Sequence, residues 1–382
     1  MRDSSADGLR GLAALNVVIA HFIDGFWPKV LFPVYGELQI NPSNASDLEK
    51  VLGSPVTTVF FNGHFAVMIF FVLSGYVLAT PAVENDFERI RQRFWGRYLR
   101  LNIPVAAACT ISWSVLWLGL YASPEAAVVS NSKWLARFFQ ADISFLRLLN
   151  VAVIQGLLAD AILLSPLWTL RIEFVGSMML LATLMLSPKN RQISSLLLVG
   201  IAIFAAWPND VLFLLCFFAG ALCNWVTVGP AAARLFLVLG FIFGSYQPYG
   251  VNYLLPEITR EPKTLYNAIG GVCLTLAVCR GGALRALLSS TIVQYLGKVS
   301  YSLYLIHTIV LCSLASYIVS VLGVGALGLS VAFAVYIPVT FAVSHVFTDT
   351  VDRFAVRIGH SFARSMSSNL NWLGDKSVKA AP

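Results

Sequence analysis

The chain has 382 residues, of which 58% are hydrophobic and 12% charged, with a mean hydropathy of +0.75. A soluble domain carries about 25% charged residues, so this composition excludes a water-soluble enzyme and points to a polytopic membrane protein. The net charge of +7 reads as the Lys/Arg excess of cytoplasmic loops rather than as a nucleic-acid surface, and the six cysteines form no CxxC pair, which argues against a metal site or a disulfide framework.

Taken in order, ten apolar segments stand out, at 8–27, 64–80, 102–121, 167–187, 193–208, 210–227, 232–248, 264–280, 300–321 and 325–348. They predict an all-α polytopic membrane protein with about ten transmembrane helices, several of them short of the ~20 residues a straight span needs. The stretch 147–165 is apolar on one side and carries Arg147, Asn150, Gln155 and Asp160, which predicts a helix lying in the interface. With the N-terminus placed in the cytoplasm, 18 of the 26 Lys and Arg side chains fall on the cytoplasmic side and seven on the other. That bias predicts an even number of spans with both termini cytoplasmic. The chain then reads as one membrane domain, 1–352, and a short basic cytoplasmic tail, 353–382, in a cell membrane.

Ionisable residues inside membrane-length helices are costly and mark candidate sites. The first segment holds three, Arg10, His21 and Asp24. Arg10 and His21 are eleven residues apart, so they fall within roughly 20° of one helix face and about 16 Å apart along it. The second segment ends in Ser74-Gly75-Tyr76, two hydroxyls flanking a residue that permits close backbone approach. Arg97 and Arg100 open the third segment as the end of an arginine cluster, and guanidinium forks suit phosphate. In the fourth segment, Arg171 and Glu173 point about 160° apart on a helix. Counted from Pro166, Glu173 lies about 10 Å in, level with His21 counted from Trp27. That predicts a carboxylate orienting an imidazole, which then serves as general base. In the ninth segment Tyr301, Tyr304 and His307 recur at i, i+3, i+6 on one broad side of a helix.

These stretches, in register, resemble the acyltransferase-3 family of integral membrane O-acyltransferases. The likeness rests on Arg10 with His21, on Phe70-Phe71-Val72-Leu73-Ser74-Gly75-Tyr76, and on Arg97-Tyr98-Leu99-Arg100 before Pro104. It continues through Trp168-Thr169-Leu170-Arg171-Ile172-Glu173 and Ser300-Tyr301-Ser302-Leu303-Tyr304-Leu305-Ile306-His307. Thr169 and Arg171 depart from the family's commoner residues. The resemblance implies transfer of an acyl group, foremost acetyl, from cytoplasmic acyl-CoA to a hydroxyl of a carbohydrate or other secreted small molecule, with no tightly bound cofactor. His21 and Glu173 are then the catalytic pair. Arg10, Arg97 and Arg100 hold the donor phosphates, and Ser74, Tyr76, Trp168, Arg171, Tyr301 and His307 line the substrate pocket. A multi-pass transporter or flippase, using the same buried charges as a proton relay, is the alternative.

Overall fold

The computed structural model describes residues 3–36, 44–138, 143–158, 163–206, 209–250, 255–257, 259 and 261–379, with side chains through Ser367. Asp160, and the side chains of Lys376 and Lys379, lie outside the described residues. Every described regular element is helical. Each of the ten apolar segments forms a helix: α1 (Ser4–Phe26), α2 (Gly63–Val83), α3 (Phe87–Trp117), α4 (Leu167–Leu186), α5 (Gln192–Ala206), α6 (Val211–Leu222), α7 (Pro230–Gly244), α8 (Pro262–Thr275), α9 (Thr291–Val310) and α10 (Ala326–Phe347). Among the described residues, six helices are long and apolar enough to cross a membrane: α1 to α4, the continuous run Thr291–Leu322 that begins with α9, and the run Ala326–Ser367 that begins with α10. The chain is an integral membrane protein.

Small residues set the closest crossings, as expected where lipid gives helices little hydrophobic reason to associate. A Cβ added to Gly11 of α1 would meet the Gly297 nitrogen of α9 at 2.4 Å, and one added to Gly297 would meet the Asp7 carbonyl at 2.4 Å. Ten residues further along both helices, His21 meets His307. The two helices therefore run parallel in matched register. Gly75 of α2 and Gly220 of α6 make a second crossing, where added Cβ atoms would lie 2.0 Å from the Phe217 carbonyl and 1.9 Å from the Val72 carbonyl. In α2, Pro81 has no N–H to offer the Val77 carbonyl. Arg93 of α3 donates to that carbonyl at 2.5 Å and to the Leu78 carbonyl at 3.1 Å.

Two regions differ from expectation. The stretch after Ile143 does not lie across the bundle's end. Its helix, Phe145–Asn150, continues through a π-helical turn, Val151–Gln155, to Leu158. The Trp113 indole donates to the Ile143 carbonyl at 2.7 Å, the Tyr98 hydroxyl to the Val153 carbonyl at 2.5 Å, and the Ser112 hydroxyl to the Leu163 carbonyl at 2.6 Å. The chain thus travels from Trp113 to Tyr98, about 22 Å along α3, and is back beside Ser112 at Leu163. The stretch therefore packs lengthwise along α3, whose side chains donate to these three carbonyls. The basic tail, 353–382, is helical over most of its length. It forms helix α11 (Arg353–Lys379), which packs on α3 where Gly96 meets Gly359. A Cβ on Gly96 would sit 2.9 Å from the Gly359 carbonyl.

Candidate active site

A cavity of about 620 Å³ opens near the N-terminal end of α1, walled by α1, α2, α3, α4, α9 and the start of α11. Arg10, Arg97, Arg100, Lys298 and Arg353 line it, with only Glu173 and Asp352 as lining carboxylates. Its cations are cross-braced. Arg97 and the Ser74 hydroxyl both donate to Oε1 of Glu173, and the Arg97 Nε donates to the Ser177 hydroxyl at 2.9 Å. Arg100 donates to Asp352 at 2.6 Å and stands over the Tyr301 ring, 5.4 Å from its centroid. Arg10 pairs with Asp7 at 3.3 Å, and Lys298 with Asp349 at 3.1 Å. A guanidinium has five N–H donors, so these bridges position the arginines without exhausting them. Deeper in, Val67, Phe70, Phe71 and Leu170 make the walls apolar. The Thr169 and Tyr304 hydroxyls share a 2.6 Å hydrogen bond, and Phe70 packs edge-on against the Tyr304 ring at 5.6 Å.

One turn beyond Tyr304 lies the histidine pair. Nδ1 of His21 is 2.7 Å from Nε2 of His307, and the rings lie within 6° of one plane. His307 is fully buried, and its Nδ1 is 2.8 Å from the Leu303 carbonyl. A carbonyl only accepts, so neutral His307 carries its proton on Nδ1 and presents a lone pair at Nε2. His21 then donates from Nδ1, which leaves the lone pair of His21 on Nε2. The indole of Trp134 stacks on the His21 ring, with centroids 4.9 Å apart and planes at 18°.

Of the residues singled out by sequence, Arg10, Ser74, Arg97, Arg100, Glu173 and Tyr301 come together around one cavity, and His21 joins His307 beyond it. The expected His21–Glu173 pair is not made. Glu173 bonds Arg97 and Ser74, and the partner of the His21 ring is His307. The reason is depth. α4 does not begin at the bundle's surface but below the returning stretch, where Leu163, Leu164 and Leu167 are at most 1% exposed. Thr169 is level with Tyr304, so Glu173 lies about 10 Å, or two turns, from the histidine pair along the bundle. Three further candidates stand apart from the cavity. The Tyr76 hydroxyl donates to Asp3 at 3.1 Å, Arg171 pairs with Asp210 at 2.9 Å, and Trp168 packs edge-on against Phe213. Sequence reading missed Lys298, Asp352 and Arg353. Lys298 was legible one residue after Gly297, but the two others required the tail to fold back.

The acyltransferase domain family Acyl_transf_3 matches residues 3–349. The protein named Acyltransferase R4 from Phoma sp. is 22% identical over 386 aligned residues, covering 79% of this chain and 81% of that one. No solved structure matches.

Proposed function

Because the chain belongs to the Acyl_transf_3 family of acyltransferases, we propose that it moves an acyl group, foremost acetyl, from acyl-CoA to a hydroxyl of a carbohydrate or other secreted small molecule. On this reading ten helices span the cell membrane, both termini are cytoplasmic, and the cavity opens to the cytoplasm. The donor's phosphates take N–H groups of Arg10, Arg97 and Arg100. Its thioester enters past Ser74 and Tyr301 toward the Thr169–Tyr304 contact. No cofactor is held tightly, and acyl-CoA is a co-substrate.

The observation that carries this reading is the histidine pair. His21 is braced at Nδ1 by a partner whose own tautomer is fixed by the Leu303 carbonyl, so its Nε2 is the basic atom. Nε2 removes the proton of the acceptor hydroxyl. The oxygen attacks the thioester carbonyl, the C–S bond breaks, and the thiolate leaving as CoA takes the proton from His21. Glu173 belongs to the donor side, where it aligns Arg97.

The test is release of CoA thiol by purified protein given acetyl-CoA and a panel of hydroxyl acceptors. Thiol release that is lost in His21→Ala supports the reading. Acceptor movement across vesicles without thiol release overturns it in favour of a transporter.

A further inference from the structure

Trp134 carries none of the features that mark a candidate by sequence. It lies in the connection between α3 and α4, beyond the short helix Ser123–Ser130. Two ties pin this connection to the helices of the histidine pair. The Ala122 N–H donates to the Cys312 carbonyl at 3.0 Å, on the helical run that continues α9. The Ser132 hydroxyl donates to the Asp24 carbonyl of α1 at 2.8 Å and receives the Leu135 N–H at 3.2 Å. Two residues past the second tie, Trp134 is 7% exposed. One of its faces lies flat on His21, and Phe138 packs edge-on against the indole at 4.8 Å. His21 is thus held in two different ways: His307 bonds its edge in the ring plane, and Trp134 covers its face.

We propose that Trp134 is a positioning residue for His21, whose indole face fixes the imidazole plane and stabilises the imidazolium formed when His21 takes the acceptor's proton. This rests on the reading of His21 as general base. A cation against an aromatic face is attracted by the ring quadrupole, most strongly for Trp and more so away from water. That attraction exists only once the ring is charged, so it favours the proton-transfer step over substrate binding. Besides Trp134, the group that meets the His21 ring is His307, whose own ring packs against Tyr304; Asp24 is buried one turn further along the same helix, and Tyr336 of α10 donates to the Val18 carbonyl one turn before His21. Lys133 and Arg137 flank Trp134 in sequence.

The test compares Trp134→Leu, Trp134→Phe and Trp134→Tyr with wild type, using acetyl-CoA and an acceptor established by the thiol-release assay. Trp134→Leu is expected to lower kcat about 3- to 30-fold with KM for acetyl-CoA within about twofold. The acid limb of the pH–rate profile belongs to the coupled histidine pair. It is expected to move to lower pH by about 0.5 to 1.5 units, since the charged ring loses its support. Trp134→Phe and Trp134→Tyr restore most of kcat and most of the limb. If Trp134→Leu fails to fold, the aromatic variants carry the test, with a small shift in the same direction expected from Phe. An acid limb at one pH in every variant that folds overturns the proposal and reduces Trp134 to packing. Full transfer by His21→Ala would instead overturn the reading beneath it.

Discussion

The two ends of the α1–α9 pair solve different problems with the same backbone. Near Gly11 and Gly297 the helices touch, and the polar groups around them form several bridges: Arg10 with Asp7, Arg97 with Glu173, Arg100 with Asp352 and Lys298 with Asp349. Ten residues on, the two helices are joined by a hydrogen bond between two imidazoles, with an indole stacked on His21. The first arrangement spreads an anion's charge over cations from α1, α3, α9 and α11, so losing one is buffered. The second depends on one lone pair in one direction. The comparison teaches that charge binding here is redundant, whereas proton transfer is not.

The largest effect should therefore come from the narrow end. His21→Ala is expected to lower thiol release about 10²- to 10⁴-fold, the usual worth of a positioned base, in a protein that still folds and inserts, with the midpoint lowered by the lost hydrogen bond and the space left under Trp134. His307→Phe should follow. It removes the acceptor for Nδ1 of His21 and leaves a donor without its partner, a loss of about 1–3 kcal/mol, or roughly 5- to 150-fold in kcat. Equal losses from Glu173→Gln and His307→Phe in kcat, with no change in KM for acetyl-CoA, would break the comparison by returning Glu173 to the base.

At the broad end, Arg97→Ala is expected to raise KM for acetyl-CoA about tenfold and to destabilise the fold. Removing one partner of a buried ion pair costs about 3–5 kcal/mol because the other charge stays behind. The double variant Arg97→Ala/Glu173→Gln should regain much of the stability but not the KM, which thermal unfolding and donor titration separate. Lys298→Ala, at a more open position, should raise the same KM only two- to threefold, in keeping with the modest worth of exposed pairs.

Much of this was legible beforehand, and for physical reasons. Gly75 stood out as a residue that permits close backbone approach, and it is where α2 and α6 touch. The i, i+3, i+6 spacing of Tyr301, Tyr304 and His307 became a ladder from cavity to histidine pair. Arg10 and His21 share the side of α1 that faces α9. Depth was not legible. Counting Glu173 inward from Pro166 assumes that a helix begins at the bundle's surface, and α4 begins where Leu163, Leu164 and Leu167 are already buried. Apolar composition alone cannot separate a stretch packed along α3 from an interfacial helix, because both place apolar side chains against lipid. The tail's basic composition reads as a solvated end, while Gly359 facing Gly96 needs two distant segments to be placed together. Trp134 sits in a connection with no period, so nothing in its neighbourhood announced a stacked partner.

The smallest effect sharpens the comparison by showing what lies outside both ends. Beyond His21, Trp27 closes α1 and its indole donates to Glu49 at 2.8 Å, on the short helix Asp47–Leu52 that Ser46 and Glu49 close with a capping box. Burial works against ionisation of Glu49, but the Ser46 N–H, the Trp27 indole and the Ser46 hydroxyl outweigh it and hold the carboxyl below its ordinary range. A depressed carboxyl stabilises the folded loop above the unfolded pKa, about 4.3, and that stabilisation is lost as pH falls through the folded value. Hydrogen-exchange protection over 46–58, taken relative to the intrinsic exchange rate at each pH, should therefore fall in wild type between about pH 5 and pH 3. In Glu49→Gln that protection should already be lower at pH 7 and flat across that range. Thiol release by Glu49→Gln should stay within about twofold of wild type, since the loop contributes no group to the His21 ring or to the arginine cavity. A tenfold loss would mean that the roof over α1 helps to set the base, and the line drawn between roof and base would have to be moved outward.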